Sequence, residues 1–352
     1  MHSGRLRDAA LAAAGLSLAA CASSQPPTPT PPPNADFHVV SLGDSYAAGQ
    51  GAPNDHRWWE LCRSQWDYRR CNRSRWAPTT QAVKRLADAG HPIHHHSFTC
   101  SGADIEEGLL GPYDGQESNP GDPPLLPQVN ELAALAANPG DVDAVTISVG
   151  GNDVYFARIV ATCMLPDPLT CKIVKPDVDQ ALADLPGKLD DLAQRMTQQG
   201  VQVPANRIFI LGYPDPARDA NGILCNASPP LPEPLAGISA ADAGWTSEYV
   251  LPKLNRRLCL AAGQHGWAYV APRDEFKSHG WCADPIDLQG NWINTAIQSG
   301  AKQGTHHGTM HPTRSGHSAV SEKTEDRLTT LLNNGSPASD PCPNEPVSAR
   351  PP

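Results

Sequence analysis

Residues 37–49 lead from a short apolar strand directly into a Gly-Asp-Ser turn and then into a helical pattern. Val39, Val40 and Leu42 fit a buried strand, which ends at the glycine and the two polar residues that follow. Ser45 therefore lies at the carboxyl end of a strand, where open α/β sheets bind their ligands. Taken alone, this serine is better explained as a cap of the next helix, because serine and aspartate both favour that position.

The rest of the chain alternates short apolar strands with helical patterns. The sequence predicts strands at 144–149, 207–212 and 268–271, and helices near 77–89, 129–137, 178–199, 240–262 and 312–332. Strands and helices that alternate in this way form a parallel sheet covered on both faces. We therefore expect an α/β fold, a three-layer α/β/α sandwich with a central parallel sheet.

The amino-terminal segment is typical of an exported protein. Arg5 and Arg7 precede an apolar run at 9–20, which is too short to cross a bilayer and fits a secretion signal. The Leu-Ala-Ala-Cys that ends the run resembles the lipobox of bacterial lipoproteins, in which the cysteine, here Cys21, is lipidated and becomes the new amino terminus. Ordinary cleavage beside this cysteine, without lipidation, is the alternative.

Two further segments lack the strand and helix pattern. The linker after Cys21 is rich in proline, which favours an extended chain without a packed core, and the end of the chain has a similar composition. We expect a signal peptide with a lipobox over 1–21, a proline-rich linker over 22–36, one folded domain over 37–333 and a disordered tail over 334–352.

Charge and cysteine content exclude several classes of protein. A formal net charge of −10 and few clusters of lysine or arginine argue against a nucleic-acid partner. The sequence has ten cysteines, of which nine follow Cys21, and in an oxidising compartment most of these would form disulfides. Because nine is odd, at least one of them lacks a partner in the same chain. No CxxC pair occurs, which disfavours a cysteine metal site.

Three more short blocks have the character of the Gly-Asp-Ser turn. Ser101-Gly102 lies beside Cys100, Gly-Gly-Asn-Asp at 150–153 follows a strand, and His311-Pro312 precedes the final helix, where proline suits the first turn. The chain contains no G-x-S-x-G elbow, no phosphate-binding loop and no GxGxxG. The α/β-hydrolase fold and most nucleotide enzymes are therefore excluded.

Taken in chain order, these four blocks resemble the motifs of the SGNH (GDSL) hydrolase family. The blocks are Gly-Asp-Ser, Ser-Gly, Gly-Gly-Asn-Asp and His-Pro. Several local sequences are similar to those of its secreted actinobacterial lipases and esterases. The resemblance implies a flavodoxin-like sheet and a serine hydrolase that acts on carboxylic esters, with no metal and no other cofactor. It also implies that Ser45 is the nucleophile and His311 the general base, with an oxyanion hole formed by Ser45, Gly102 and Asn152.

These residue types suit such chemistry. A serine hydroxyl is a poor nucleophile until a neighbouring base takes its proton. An imidazole with an ordinary pKa of about 6.5 can take that proton and return it to the leaving group at neutral pH. In comparable enzymes each oxyanion donor contributes roughly 3–4 kcal/mol. Glycine lets a backbone N–H approach closely, and asparagine supplies a neutral donor.

One position departs from the family pattern. Members usually carry an aspartate three residues before the histidine, and here that residue is Gly308. Some actinobacterial lipases of the family use a backbone carbonyl instead, so we expect the Gly308 carbonyl to accept from Nδ1–H of His311. Asp284 or Asp287, reaching in from an earlier loop, is the alternative. A serine–histidine pair should still act, because the oxyanion hole stabilises the transition state independently.

The same resemblance implies a disulfide pattern. The implied pairs are Cys71–Cys100, Cys163–Cys171 and Cys225–Cys282. No partner is predicted for Cys62, Cys259 or Cys342.

Some features have a plainer explanation than a catalytic one. The aromatic segment 54–76 is either a platform for a sugar or acyl group or a disulfide-stapled surface insertion. The histidine runs at 94–96 and 306–307 suggest a metal site, but no HExxH occurs and we expect no metal. Ser101 is not placed at a strand end, so a structural role is expected for it.

The sequence therefore predicts an exported serine esterase or lipase that forms an acyl-enzyme on Ser45. An acyltransferase is a variant, because an alcohol other than water can intercept the acyl-enzyme. A non-catalytic glycan- or lipid-binding lipoprotein on the same scaffold is the rival hypothesis. We expect an ester substrate and a membrane contact through lipidated Cys21. Acyl-chain length, alcohol and oligomeric state are not predicted.

Overall fold

The computed structural model describes residues 36–54, 66–163, 168–225, 240–334 and 338–344. Within these ranges, five parallel strands form a sheet in the order β2-β1-β3-β4-β5. The strands are β1 (Phe37–Gly43), β2 (Ile93–Ser97), β3 (Ala144–Ser148), β4 (Ile208–Leu211) and β5 (Ala268–Val270).

Helices connect these strands. They are α1 (Ser45–Ala48), α2 (Pro78–Asp88), α3 (Gln128–Leu135), α4 (Phe156–Cys163), α5 (Pro168–Gln198), α6 (Ala240–Trp245), α7 (Leu251–His265), α8 (Ala296–Gln303) and α9 (Arg314–Asn334). A π turn over Thr246–Val250 joins α6 to α7. None of the helices in the described ranges combines the length and the apolar character needed to cross a membrane.

Alternate side chains of the strands enter two separate cores. Val40 and Leu42 pack into the core that includes buried residues of α3, α5 and α7, whereas Val39 packs into the core that includes residues of α2 and α9. This division follows from the period of two along a strand, which sends successive side chains to opposite faces. The predicted three-layer α/β/α sandwich around a parallel sheet is confirmed.

The strand order determines where a ligand can bind. β1 lies between β2 and β3, so the chain leaves β1 toward one side of the sheet and reaches β3 on the other. In such a flavodoxin-like sheet the crevice opens at the carboxyl ends of these neighbouring strands. The register pairs Gly43 with Ser148, which brings the residues that follow β1 and β3 side by side.

Strand β2 was not predicted, because three of its five residues are histidines. Two of the three make hydrogen bonds to β1. Nε2 of His95 lies 2.8 Å from Oγ of Ser41, and Nε2 of His96 lies 3.2 Å from Nδ1 of His38. Because these polar groups are paired, the histidine run at 94–96 can form a strand of the sheet.

The tail prediction is wrong for residues 338–344. The backbone N–H of Asp340 donates to Tyr269 O on β5, its carboxylate accepts from Ala271 N, and Cys342 is bonded to Cys259 on α7. These contacts fix the segment beside the last strand. The composition of the tail gave no sign of this, because the contacts depend on one aspartate and one cysteine.

Two of the three disulfides implied by the family resemblance are formed. Cys71 is bonded to Cys100 and Cys225 to Cys282. The side chains of Cys163 and Cys171 lie outside those that the structure describes, as does Cys62. Cys21, the signal segment 1–21 and nearly all of the linker 22–36 also lie outside the described residues.

Candidate active site

A glycine with a positive φ places Ser45 at the end of β1. Gly43 has a φ of 130°, and a Cβ at this position would lie 2.1 Å from the carbonyl oxygen of Ser148. The Gln128 side chain accepts from the Gly43 N–H at 2.7 Å and donates to its carbonyl at 3.0 Å. Only glycine adopts this backbone without strain, so the turn brings the start of α1 close against β3.

Asp44 holds the first turn of α1. Its side chain accepts from the backbone N–H of Tyr46 at 2.9 Å and from the hydroxyl of Tyr213 at 2.5 Å. Burial raises the pKa of Asp44 to about 7, against hydrogen bonds that lower it. The Tyr213 hydroxyl also accepts from the Gly151 N–H, so it joins the loops after β1 and β3. Asp44 and Tyr213 together therefore connect the loops that form the site.

The structure brings Ser45 and His311 together across 266 positions of sequence. Nε2 of His311 lies 2.7 Å from Oγ of Ser45, and both residues are buried. The imidazole also packs against two aromatic rings, Tyr46 at 5.2 Å and Phe156 at 5.7 Å between centroids. This contact is what general-base activation of a serine requires.

Nδ1 of His311 faces a backbone carbonyl, but of Thr309 rather than Gly308. The distance from Nδ1 to Thr309 O is 3.1 Å. The predicted acceptor, Gly308 O, instead accepts from the backbone N–H of His311 at 3.1 Å, which closes a four-residue turn. The prediction of Gly308 is therefore corrected, because this turn already uses the Gly308 carbonyl.

The shape of this turn explains why Thr309 is the acceptor. Met310, the third residue of the turn, has a φ of 63°. A positive φ at this position is the mark of a type II turn, in which the central peptide is flipped relative to type I. The carbonyl of that central peptide belongs to Thr309. Tyr46 stabilises the strained residue, because its hydroxyl donates to Met310 O at 2.7 Å.

The alternative orienting carboxylates lie elsewhere. Asp284 accepts from three backbone N–H groups of its own loop, those of Asp287, Gln289 and Gly290. Asp287 is exposed. The ring hydrogen bonds of His311 go to Thr309 and Ser45, both neutral. Burial lowers the pKa of His311 to about 3, so the imidazole is the neutral, proton-accepting form at pH 7.

Gly102 and Asn152, the two predicted oxyanion donors besides Ser45, lie in the same cleft as Ser45 and His311. Gly102 has a φ of 87° and lines this cleft, as does Asn152. Nδ2 of Asn152 donates one hydrogen bond, 2.8 Å long, to Ala103 O, which holds the amide in place. A primary amide has two N–H groups, so this anchor is compatible with donation to an oxyanion.

The cleft has a volume of about 410 Å³ and is lined by an apolar and a polar set of residues. The apolar set, here called the apolar wall, comes mainly from α4, and the polar set includes glutamine and histidine side chains. The apolar wall consists of Phe156, Ala157, Val160, Ala161 and Ala296, and the polar set includes Gln50, Gln116, His306, His307 and Thr309. The second histidine run thus lines the cleft.

Comparison with known proteins identifies the family of this chain. The sequence pattern of the GDSL-like Lipase/Acylhydrolase family matches residues 41–319. The chain belongs to this family. Lipase 1 of Streptomyces coelicolor is 28% identical over 313 residues, which cover 87% of this chain and 90% of that protein. The predicted SGNH (GDSL) family is confirmed, and the chain is an ester hydrolase.

Two crystal structures share the fold of this GDSL hydrolase. The extracellular lipase of Streptomyces rimosus superposes with a TM-score of 0.58 at 19% identity and covers 82% of this chain and 99% of its own. Phospholipase A1 of Streptomyces albidoflavus gives a TM-score of 0.55 at 22% identity and covers 83% and 99%. At this identity the two structures support the fold alone.

Sequence reasoning missed three residues whose side chains hydrogen-bond to the turns that carry Ser45 and His311. Gln128, Tyr46 and Tyr213 are single polar or aromatic residues in helices or loops, and no local pattern distinguishes them. The aromatic segment 54–76 is only partly described: Trp66 and Tyr68 are buried, and neither lines the cleft. Trp58 and Trp59 lie outside the described residues, so the platform hypothesis for them is untested.

Proposed function

We propose that this GDSL hydrolase is an exported serine esterase or lipase, which cleaves carboxylic esters through an acyl-enzyme on Ser45. The observation that carries the proposal is the 2.7 Å contact between Ser45 Oγ and His311 Nε2. His311 takes the serine proton as Oγ attacks the ester carbonyl, and it then donates that proton to the departing alcohol. Water, activated by the same imidazole, releases the acid and regenerates Ser45.

The tetrahedral intermediates carry their negative charge on the former carbonyl oxygen. The backbone N–H groups of Ser45 and Gly102 and the side-chain amide of Asn152 are the proposed donors to that oxygen. Thr309 O keeps the proton on Nδ1, so that Nε2 presents its lone pair to the serine. The assignment of nucleophile, base and oxyanion donors is part of this proposal.

Fluorophosphonate labelling tests the nucleophile directly. The purified folded domain should be labelled, and Ser45→Ala should abolish labelling. Ser101→Ala is the matched control, because Ser101 is also buried but its hydroxyl has no hydrogen-bond partner among the described residues. It should be labelled like the wild type. Absence of label on the wild type would instead favour a binding protein.

The apolar wall of the cleft is the proposed acyl-binding side. Replacing Ala161 by Trp should narrow the cleft and shift the preference among p-nitrophenyl esters toward shorter acyl chains. Ala87→Trp is the control, because Ala87 is exposed on α2 and does not line the cleft. An unchanged chain-length profile in Ala161→Trp would refute this placement. Adding a competing alcohol and looking for transesterified product separates a hydrolase from an acyltransferase.

Export and anchoring rest on the sequence of the amino terminus alone. We propose that the signal segment directs export and that Cys21 is lipidated, so that a proline-rich linker holds the enzyme at the membrane surface. Labelled palmitate should be incorporated in the wild type and not in Cys21→Ser. A mature protein that begins beyond Cys21 without lipid would show that ordinary cleavage occurs.

A further inference from the structure

Asn294 is a fully buried residue that lies behind the proposed catalytic pair. Its side-chain nitrogen is 3.0 Å from the carbonyl oxygens of Gly51 and His311 and 3.1 Å from that of Pro312. Two N–H groups thus serve three acceptors, so one N–H is shared. Gly51 follows α1, which begins with Ser45. One amide therefore joins the loop that follows α1, here called the serine loop, to the turn at 308–311, here called the histidine turn.

The backbone of Asn294 contacts the same turn. Its N–H donates to His311 O at 2.8 Å, and its carbonyl accepts from Met310 N at 3.0 Å. The neighbouring residue Ile293 pairs with Pro312 in an antiparallel bridge. The chain on both sides of His311 is thus fixed to a single segment, the one that leads into α8.

Lys302, two turns along α8, orients the amide of Asn294. Its Nζ donates to Oδ1 of Asn294 at 2.9 Å. A lysine ammonium can only donate, so it selects the carbonyl oxygen and leaves the amide nitrogen to face the three backbone carbonyls. Burial, together with the nearby Arg314, lowers the pKa of Lys302 to about 8, so it remains mainly protonated at neutral pH.

The junction between the two loops has no spare room. Gly51 has a φ of 93°, and a Cβ there would lie 2.5 Å from Pro312 O and 2.6 Å from Nδ2 of Asn294. It would also lie 3.0 Å from Cβ of His311. Close contact of this kind means that a shift of the histidine turn must be transmitted to the serine loop.

We propose that Asn294, with its amide oriented by Lys302, is a positioning residue that holds His311 within hydrogen-bond distance of Ser45. The inference rests on the proposed serine–histidine mechanism. Among the residues that the structure describes, the hydrogen-bond partners of the His311 ring are the neutral Thr309 carbonyl and Ser45 hydroxyl, so the position of the ring depends on the backbone that carries it. A misplacement of about 1 Å can cost on the order of 100-fold in rate, and it would lengthen the 2.7 Å contact beyond hydrogen-bond range.

Asn294→Ala tests this, with Asn291→Ala as the matched control. Asn291 is an equally buried amide three residues earlier, but its side chain contacts Trp281 O and Asp284 N instead of the histidine turn. On p-nitrophenyl esters we expect kcat of Asn294→Ala to fall on the order of 100-fold with KM within about threefold. Asn291→Ala should keep kcat within about threefold at a comparable loss of Tm. Equal losses of kcat in the two variants, or an unchanged kcat in Asn294→Ala, would overturn the proposal.

The lysine gives a second, milder test in case Asn294→Ala does not fold. Lys302→Met should lower kcat by roughly tenfold, since it frees the amide to rotate, and Lys302→Arg should restore most of the loss because it keeps a donor. Equal activity of the Met and Arg variants would count against the role of Lys302.

A readout without turnover separates this inference from the proposed function. An NMR titration of His311 should show its pKa rising toward the ordinary value in Asn294→Ala, because a loosened turn admits water, and staying low in Asn291→Ala. If wild-type enzyme takes no fluorophosphonate label, the proposed mechanism fails, while the titration still decides whether Asn294 holds His311. A His311 pKa that is the same in both variants would overturn the positioning role.

Discussion

Lowering the pH from 7 to 5 should change kcat/KM of this hydrolase by less than about twofold. The acid limb of kcat/KM reports the pKa of the base in the free enzyme. An ordinary histidine with a pKa of about 6.5 would be only about 3% neutral at pH 5, and kcat/KM would fall about 25-fold. His311 is buried with a pKa near 3, so it stays almost wholly neutral over this range.

The physical cause is burial, which removes the hydration of the protonated ring. The Thr309 carbonyl offsets this loss only in part, and the other ring partner, the Ser45 hydroxyl, is neutral as well. The lowered pKa of His311 also affects the free energy of unfolding. The pKa of His311 in the folded protein lies below its value in the unfolded chain, so the unfolded chain takes up the proton first as the pH falls. The free energy of unfolding therefore keeps the full contribution of His311 above about pH 6.5 and loses about 2 kcal/mol of it at pH 5.

The assay is hydrolysis of a p-nitrophenyl ester, read at the isosbestic wavelength of the product so that its own ionisation does not interfere. Near-UV circular dichroism at each pH confirms that the enzyme remains folded. The Tyr213→Phe variant shows whether a fall in kcat/KM at low pH is caused by protonation of Asp44, whose pKa is about 7. Loss of the Tyr213 hydrogen bond raises the pKa of Asp44, so such a limb moves to higher pH.

An acid limb at the ordinary histidine pKa that does not move in Tyr213→Phe would refute the reasoning. It would mean that water or a carboxylate stabilises the protonated ring of His311 in solution.

Three further outcomes follow from the structure. Gly43→Ala should lower the free energy of unfolding by about 1–3 kcal/mol through backbone strain, measured by urea unfolding. It should also lower kcat for ester hydrolysis, because the added Cβ meets the Ser148 carbonyl. Gln128→Ala should lower the free energy of unfolding by about 1–3 kcal/mol, since the Gly43 N–H is left unpaired in a buried turn, and an unchanged urea midpoint would contradict this. Replacing both Cys259 and Cys342 by Ala should cost about 4–5 kcal/mol, as expected for a separation of 83 residues, with kcat kept at 25 °C because neither cysteine lines the cleft.

Much of the sheet could be predicted because its central strands are apolar. β1, β3, β4 and β5 follow the predicted ranges to within one or two residues. β2 could not be found in this way, because His95 and His96 belong to it only through hydrogen bonds to residues of β1. The eight-residue helices α4 and α8 were also missed, although the apolar and polar residues of each are well separated.

The candidate site, like the sheet, could be predicted only in part. Short motifs around Ser45, Gly102, Asn152 and His311 predicted four residues that the fold places in one cleft. The carbonyl that faces Nδ1 of His311 was assigned one residue too early. Which carbonyl of a turn faces a side chain depends on backbone angles, and residue types at this turn give no sign of a positive φ at a methionine.

The use of a main-chain oxygen to face His311 has an evolutionary consequence. A triad aspartate is lost by one base change, whereas a peptide carbonyl survives every replacement of the side chain that bears it. The Thr309 hydroxyl has no hydrogen-bond partner among the described residues, but its side chain lines the cleft, so only the substrate constrains the residue type there. Position 309 is therefore expected to vary with the substrate among relatives, while the glycines and the buried amide that shape the turn stay fixed.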